Sequence, residues 1–514
     1  MKRKGLFSLA FVFFLLLACS CPVSGVPLRT STGTPTLTPV ANALGTISPA
    51  SSPSMSEVPF NIDWNDRSNF EKGLVPAYKN ILSSLPGASI YHLAFSLSNP
   101  PTQVIGLEEV RYTNTEIVDL NEVDFAVFSE ILGGSITISS LQLDGRSLSA
   151  AHQNGIMRVP LESPLQPGKS ITFHIDFTIT VPTHGGNYYY GIFGYNDAIL
   201  SLAQSYPTIL VYNEQGWNNQ TPDLDGDPLF SDASFYLVSI DAPKDLTLVA
   251  SGVEIQRSVT ADRQRVLFAD GPARDFYLAA SEGFHKYSEK VGELAINSYT
   301  LSRFDAYAQS TLDIAKAAMA DFSQRYGPYP YTEFDLAPII TSAGGVEFPG
   351  MTVVAEEVYG GGNFMEVVIT HEVGHQWFYN LVGNETQRQP WLDESLAEFV
   401  TWQYYLDEHG TQAAQSYQTE IQGTWDTVSD KKIPIGEPVS SYTSEEYVAI
   451  VYGRGPFFFL ALRQQMGTTA FDSLMRDYAQ TFAWKIATTD SFKQLAEKHC
   501  ACNLTPLFNE WVNP

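Results

Sequence analysis

The sequence predicts an α+β protein of several domains, in which an antiparallel β saddle or sandwich over residues 59–285 precedes a mostly α-helical domain over residues 286–514. Three observations carry that prediction. The chain has 514 residues, enough for about two to four domains with cores of their own. In the first half apolar residues alternate with polar ones, clearest at Ile171, Phe173, Ile175, Phe177, Ile179 and Val181, and a period of two marks a strand buried on one face. Beyond about residue 300 the period lengthens. Leu312, Ala315, Met319 and Phe322, and then Phe471, Leu474, Met475, Tyr478 and Phe482, follow the spacing of one helix face.

Taken from the start, Lys2, Arg3 and Lys4 precede an apolar run over residues 6–18. That run is too short to cross a bilayer, which needs roughly 20 residues, so residues 1–18 read as an export signal. Residues 19–58 follow as a tether: between residues 20 and 56 the only charge is Arg29, and Ser, Thr, Pro, Ala and Gly dominate, a composition that cannot bury a core. In the β half, Leu93, Phe95 and Leu97 repeat the alternation, as do Ile136 and Ile138, and Asp144-Gly145 signals a tight turn. No internal repeat is visible.

The composition is that of a folded protein, 44% hydrophobic with a formal charge of -26. Such acidity repels phosphate backbones, so no nucleic-acid partner is expected. The four cysteines, Cys19, Cys21, Cys500 and Cys502, are too few for a disulfide framework. Cys500 and Cys502 are either a close-range bridge or two thiols.

The chemistry lies in one stretch of the helical half. His371-Glu372-Val373-Gly374-His375 sits in an apolar run over residues 365–381 that reads as a helix ended by Gly383. Residues four apart share a helix face, so His371 and His375 can offer two imidazoles to one metal ion while Glu372 reaches a water beside it. Catalytic zinc takes three protein ligands, and eighteen residues after His375 comes Glu394, in Trp391-Leu392-Asp393-Glu394-Ser395. Glu398, one turn further on, is placed to accept a hydrogen bond from a ligand imidazole. Zinc lowers the pKa of a bound water toward about 7, and Glu372 would take that proton and pass it to a leaving amine. The reaction implied is amide hydrolysis, with one Zn2+ per chain.

This arrangement, H-E-x-x-H, eighteen residues, E, with its flanking W-L-D-E-S, resembles the M1 family of zinc aminopeptidases, a gluzincin group. Gly344-Gly345-Val346-Glu347-Phe348-Pro349-Gly350 resembles the family's G-x-M-E-N segment, an edge strand lining the substrate cleft. The resemblance gives Glu347, with Gly344 and Gly345 beside it, the binding of the substrate's free α-amino group. Val346 replaces the usual Met and Phe348 the usual Asn. Val451-Tyr452-Gly453-Arg454-Gly455 resembles the Y-x-K-G segment and implies that Tyr452 stabilises the oxyanion; Arg454 stands where Lys is usual. The implied architecture is a β domain followed by a thermolysin-like catalytic domain. Because the chain stops at Pro514, a short bacterial form without the C-terminal helical domain of many members is expected.

Other features carry less. Asp223, Asp225 and Asp227 around Gly226 match part of a calcium loop, but its later ligands are missing and a polar turn is the expected reading. The seven histidines outside the motif receive no role, and Gln204 is left out of the site. Leu16-Leu17-Ala18-Cys19 resembles the lipobox of bacterial lipoproteins, so a lipid anchor at Cys19 is expected, with simple cleavage near Ser24-Gly25 as the competing reading. The expectation as a whole is a monomeric, exported, membrane-anchored zinc aminopeptidase acting on peptides with a free N-terminus. A metallo-endopeptidase of the same fold and a non-catalytic peptide-binding relative are the alternatives.

Overall fold

A computed structural model describes residues 62–183, 188–223 and 225–513. The expected export signal, the tether and Cys19 lie outside the described residues. Among those described, no helix is long and apolar enough to cross a membrane.

The alternating segments of the first half form an eight-stranded sheet. Its order is Val253–Val259, Arg263–Ala273, Ser234–Pro243, Ile90–Leu97, Gln103–Thr113, Ser170–Thr180, Ser135–Leu143 and Arg146–Ser147. Phe173, Ile175, Phe177 and Ile179 are buried as their period demands. They join one continuous core with two four-stranded sheets, which contain Leu120–Val127 and Tyr277–Ser281 respectively. Pairing is antiparallel apart from Ile90–Leu97 against Ser234–Pro243, which run parallel. These two strands lie far apart in sequence, so no hairpin fixes their direction.

The second half opens with a five-stranded sheet that the helical reading does not anticipate, in the order His285–Val291, Leu294–Thr300, Glu333–Ile339, Met351–Ala355, Gly345–Phe348. Two of its inner strands are parallel to the central Glu333–Ile339, and strands covered on both faces lose the alternation that betrays half-buried ones. The Ala308–Tyr326 helix makes the crossover between Leu294–Thr300 and Glu333–Ile339, burying Leu312, Ala315, Met319 and Phe322. From Asn363 onward the chain is mainly helical, and the Thr468–Thr481 helix buries Phe471, Leu474, Met475 and Tyr478. Cys500 and Cys502 form a disulfide.

The helix expected over residues 365–381 is shorter in the structure. It runs Asn363–Gly374, and Gln376–Leu381 form a wide turn in which Phe378 and Tyr379 leave helical geometry. The buried Arg274, from the β half, explains the break. Its guanidinium donates to the carbonyls of Tyr379 (2.6 Å) and Leu381 (3.3 Å), which a continuing helix would have turned inward to its own N–H groups. Gly383 does not end the helix; it lies against that guanidinium, where a Cβ would clash.

Gly106 shows how tightly the β core is filled: the ring of Phe177, on the neighbouring strand, occupies the space its side chain would take. Gly106→Ala should therefore lower stability by about 1–3 kcal/mol through overpacking, measured as a lower urea midpoint at unchanged slope.

Candidate active site

The Asn363–Gly374 helix carries His371 and Glu372 on its last turn, and His375 caps it, still bonded to the His371 carbonyl (3.3 Å). The two imidazoles meet Glu394, the first residue of the Glu394–Glu408 helix. His371 Nε2 lies 3.1 Å from His375 Nε2 and 3.2 Å from Glu394 Oε2, which is 3.5 Å from His375 Nε2. Ligands about 2.0–2.2 Å from a tetrahedral zinc are about 3.3–3.5 Å from one another, so this triangle fits one zinc ion with a face left open. All three side chains are buried.

The groups behind them fix their orientation. The Phe378 carbonyl accepts from His375 Nδ1 (3.1 Å), which leaves Nε2 free to act as a ligand. His371 Nδ1 is 3.4 Å from Glu398 Oε1, and the other oxygen of Glu398 accepts from the Tyr417 hydroxyl. Burial opposes charge on Glu394, but its hydrogen bonds to the two imidazoles outweigh burial and hold the carboxyl well below the usual range. Burial likewise opposes charge on His371, yet Glu394 and Glu398 raise its pKa well above the ordinary value. The site therefore favours positive charge at its centre.

Trp391 sets where Glu394 stands. Its fully buried ring is wedged among Phe458, Phe459, Phe492 and Phe508, and the Asp393 carboxylate accepts from the Glu394 N–H (2.8 Å) at the helix start.

Glu347 and Gly345 share one face of the edge strand Gly345–Phe348, while Val346 and Phe348 share the other. Phe348, where the resemblance expects Asn, is buried and stacks on Tyr277 at 3.9 Å between ring centres. The opposite face looks on to the helix. Glu347, Glu372 and His375 bring one polar atom each within 4.8 Å of one another. A Cβ at Gly345 would lie 2.6 Å from Glu372 Oε1, so the glycine makes room for that carboxylate. Gly344 packs near Val368, and its carbonyl accepts from Ala355 (2.9 Å). Burial is the first cause that pushes Glu372 up to about 7, against the neighbouring imidazoles and with Glu394 and Asp227.

Tyr452 lies in the wide helical stretch Val448–Arg454, its ring stacked 6.2 Å from that of His371. Burial and the nearby charge of Glu394 raise its pKa well above the usual range, so the hydroxyl keeps its proton. This stretch approaches the Glu394–Glu408 helix closely, since Ser395 Oγ donates to the Val451 carbonyl (2.5 Å) and a Cβ on Gly455 would strike Ser395. Arg454 does not join the site. It donates to the carbonyls of Ile433, Glu510 and Trp511 and lies over the Trp511 ring, tying the Tyr452 segment to the end of the chain.

One member of the site escapes the sequence reading. Asp227 comes from the acidic turn, and its charge is among the causes that raise the pKa of Glu347 and of Glu372. The rest of that turn is the polar structure expected: Asp225 accepts from Ser444 (2.7 Å), and Gln387 holds the backbone at Asp223 and Asp227. Gln204 turns its amide to Ser231 (3.2 Å).

Residues 310–511 match the peptidase family M1 domain. The chain carries an M1 peptidase domain. Aminopeptidase M1-B of Oryza sativa subsp. japonica is 22% identical over 317 residues, 54% of this chain and 34% of that one. Leukotriene A-4 hydrolase of Xenopus laevis is 29% identical over 179 residues, 33% of this chain and 29% of that one. The chain thus spans about a third of the length of the curated relatives it matches. Among solved structures, the M1 zinc metallopeptidase from Deinococcus radiodurans superposes with a TM-score of 0.64 at 17% identity, over 83% of this chain and 93% of that one. The two share the fold: a β-rich domain followed by the helical M1 domain.

Because Glu398 reaches the metal site only through His371, Glu398→Gln should leave the fold intact and weaken zinc binding roughly 10- to 100-fold, as read by competition with a chelator. His371→Ala should abolish stoichiometric zinc in the same assay.

Proposed function

We propose that this chain is a zinc-dependent aminopeptidase that removes N-terminal residues from peptides outside the cytoplasm. The observation that carries the reading is the convergence of His371, His375 and Glu394, with Glu347 and Glu372 gathered beside His375. Both the M1 domain and the names of the aminopeptidases it resembles support it.

Zinc held by the three ligands would polarise the scissile carbonyl and make a water nucleophilic. Glu372 takes the proton from the attacking water on its carboxylate and delivers it to the leaving amine nitrogen. Gly345 gives that carboxylate its place. Glu347 accepts from the substrate's α-ammonium, which sets the first peptide bond at the reacting centre, and a charged acceptor favours substrates that have that ammonium. The Tyr452 hydroxyl donates to the oxyanion as charge develops, an interaction stronger in the transition state than in the ground state. Export through residues 1–18, attachment by lipid at Cys19 and action as a monomer complete the reading.

Glu372→Gln should keep one zinc per chain and lose about 10²–10⁴-fold in kcat/KM on an aminoacyl anilide; a fully active variant would refute the role of this carboxylate. A peptide with a free N-terminus should be cleaved and its N-acetylated twin spared, while equal cleavage of the two would favour an endopeptidase. Mass spectrometry of the mature protein should find Cys19 as a lipid-modified first residue, and an unmodified start near Ser24 would remove the anchor.

A further inference from the structure

A tyrosine side chain has two rotatable bonds, so the reach of its hydroxyl is decided mostly by where its backbone stands. The half-buried ring of Tyr452 lies against the rings of Tyr447 (5.8 Å) and His371 (6.2 Å). Its backbone belongs to Val448–Arg454, a widened helix of a kind that is rare and occurs at functional sites. Three contacts pin that stretch. The Val451 carbonyl accepts from Ser395 Oγ (2.5 Å), and Gly453 packs so close to the end of the Thr411–Trp425 helix that a Cβ would lie 2.6 Å from the Trp425 nitrogen. Arg454 makes the third. It is 3% exposed, and its guanidinium donates to the carbonyls of Ile433 (2.9 Å), Glu510 (2.8 Å) and Trp511 (2.7 Å) while lying 4.7 Å over the Trp511 ring.

Glu510 and Trp511 close the Thr505–Trp511 helix, and the last carbonyls of a helix lack partners within it and carry the negative end of its dipole. Arg454 answers two of them. The Ile435 N–H donates to the Trp511 carbonyl (2.9 Å) and the Gly436 N–H to that of Val512 (3.1 Å), so residues 433–436 and the helix end form one unit around the guanidinium. A planar guanidinium can lie on a ring and donate in its own plane to several carbonyls at once, which an ammonium cannot. This accounts for Arg where the resemblance expects Lys. We propose that Arg454 is a positioning residue for Tyr452: by tying the Val448–Arg454 stretch to the Thr505–Trp511 helix, it sets the reach of the hydroxyl without touching substrate. The proposal rests on the aminopeptidase reading, in which Tyr452 donates to the oxyanion, and makes that donor depend on a helix about fifty residues further along the chain.

The test is a double-mutant cycle on the zinc-loaded full chain, with Arg454→Lys, Tyr452→Phe and the two together. On the aminoacyl 4-nitroanilide that wild type cleaves fastest, Arg454→Lys should lower kcat roughly 10- to 100-fold, the cost of a small misplacement at a reacting centre, with little change in KM and zinc still at one per chain. In the Tyr452→Phe background the same substitution should cost nothing further. Calorimetry adds a readout apart from turnover. The phosphonic acid analogue of the same amino acid presents an oxyanion and should bind Arg454→Lys more weakly, whereas its aminothiol, which has no such oxygen, should bind both proteins alike. An unchanged kcat, equal weakening of the two inhibitors, or an equal loss in the Tyr452→Phe background overturns the proposal. Should Arg454→Lys fail to fold, Trp511→Leu, which removes only the ring under the guanidinium, is judged by the same cycle. If wild type cleaves no aminoacyl anilide, or Tyr452→Phe is as active as wild type, the underlying reading fails and the proposal with it. If Tyr452→Phe is impaired and Arg454→Lys is not, only Arg454 is refuted.

Discussion

The structure is organised around buried negative charge gathered where two helices, an edge strand and a loop of the β half come together. Glu394, Glu372, Glu347 and Asp393 are all buried, and Asp227 reaches the same cluster. Withdrawing such groups from water costs several kcal/mol each unless they are paired. Two imidazoles answer Glu394; for the others burial opposes the charge, raising Glu372 to about 7 and Asp227 to about 6. A divalent ion held by the imidazoles and Glu394 would reverse the balance, supplying the missing positive charge where three donors already stand at tetrahedral spacing.

That spacing is maintained by residues that never touch the metal site. Arg274 is buried, and its guanidinium also donates to the carbonyls of Ser231 (3.1 Å) and Lys485 (2.7 Å), so one side chain fastens the β half to two segments of the helical half. By ending the metal-bearing helix just after His375, it puts the Phe378 carbonyl where His375 Nδ1 can bond to it. Beside it Asp275, itself pushed up to about 7 by burial, accepts from the Tyr379 hydroxyl. The orientation of a ligand thus depends on a residue about a hundred positions away, in the other half of the molecule.

This dependence marks the limit of what the sequence could convey. The convergence of His371, His375 and Glu394 was legible because helix periodicity places His371 and His375 together and because Glu394 stands at a telling distance in the sequence. Glu347 and Tyr452 were legible only through resemblance, since neither has a local pattern of its own. The half-buried strands, such as Ser170–Thr180, announced themselves by alternation, whereas Leu294–Thr300 and Glu333–Ile339, covered on both faces, did not. The break at Gln376–Leu381 has no local signal, because its cause is the distant Arg274. Asp227 was visible as part of an acidic turn, but its place near Glu347 and Glu372 is made by folding, with Gln387 and Thr386 holding its backbone, and nothing in the turn itself distinguishes it from Asp223 or Asp225.

The same distinction between local and distant charge bears on substrate choice. The overall charge of -26 suggests a general attraction for cationic peptides, yet beyond about 8–10 Å exposed charges are screened at physiological salt. Glu347 and Glu372 are buried and much less screened. In the reading proposed above, a peptide would therefore be sorted by the charge of its first nitrogen rather than by its net charge. In that reading the surface would affect mainly the rate of encounter, and the enclosed acids would decide which end of the peptide is presented for cleavage.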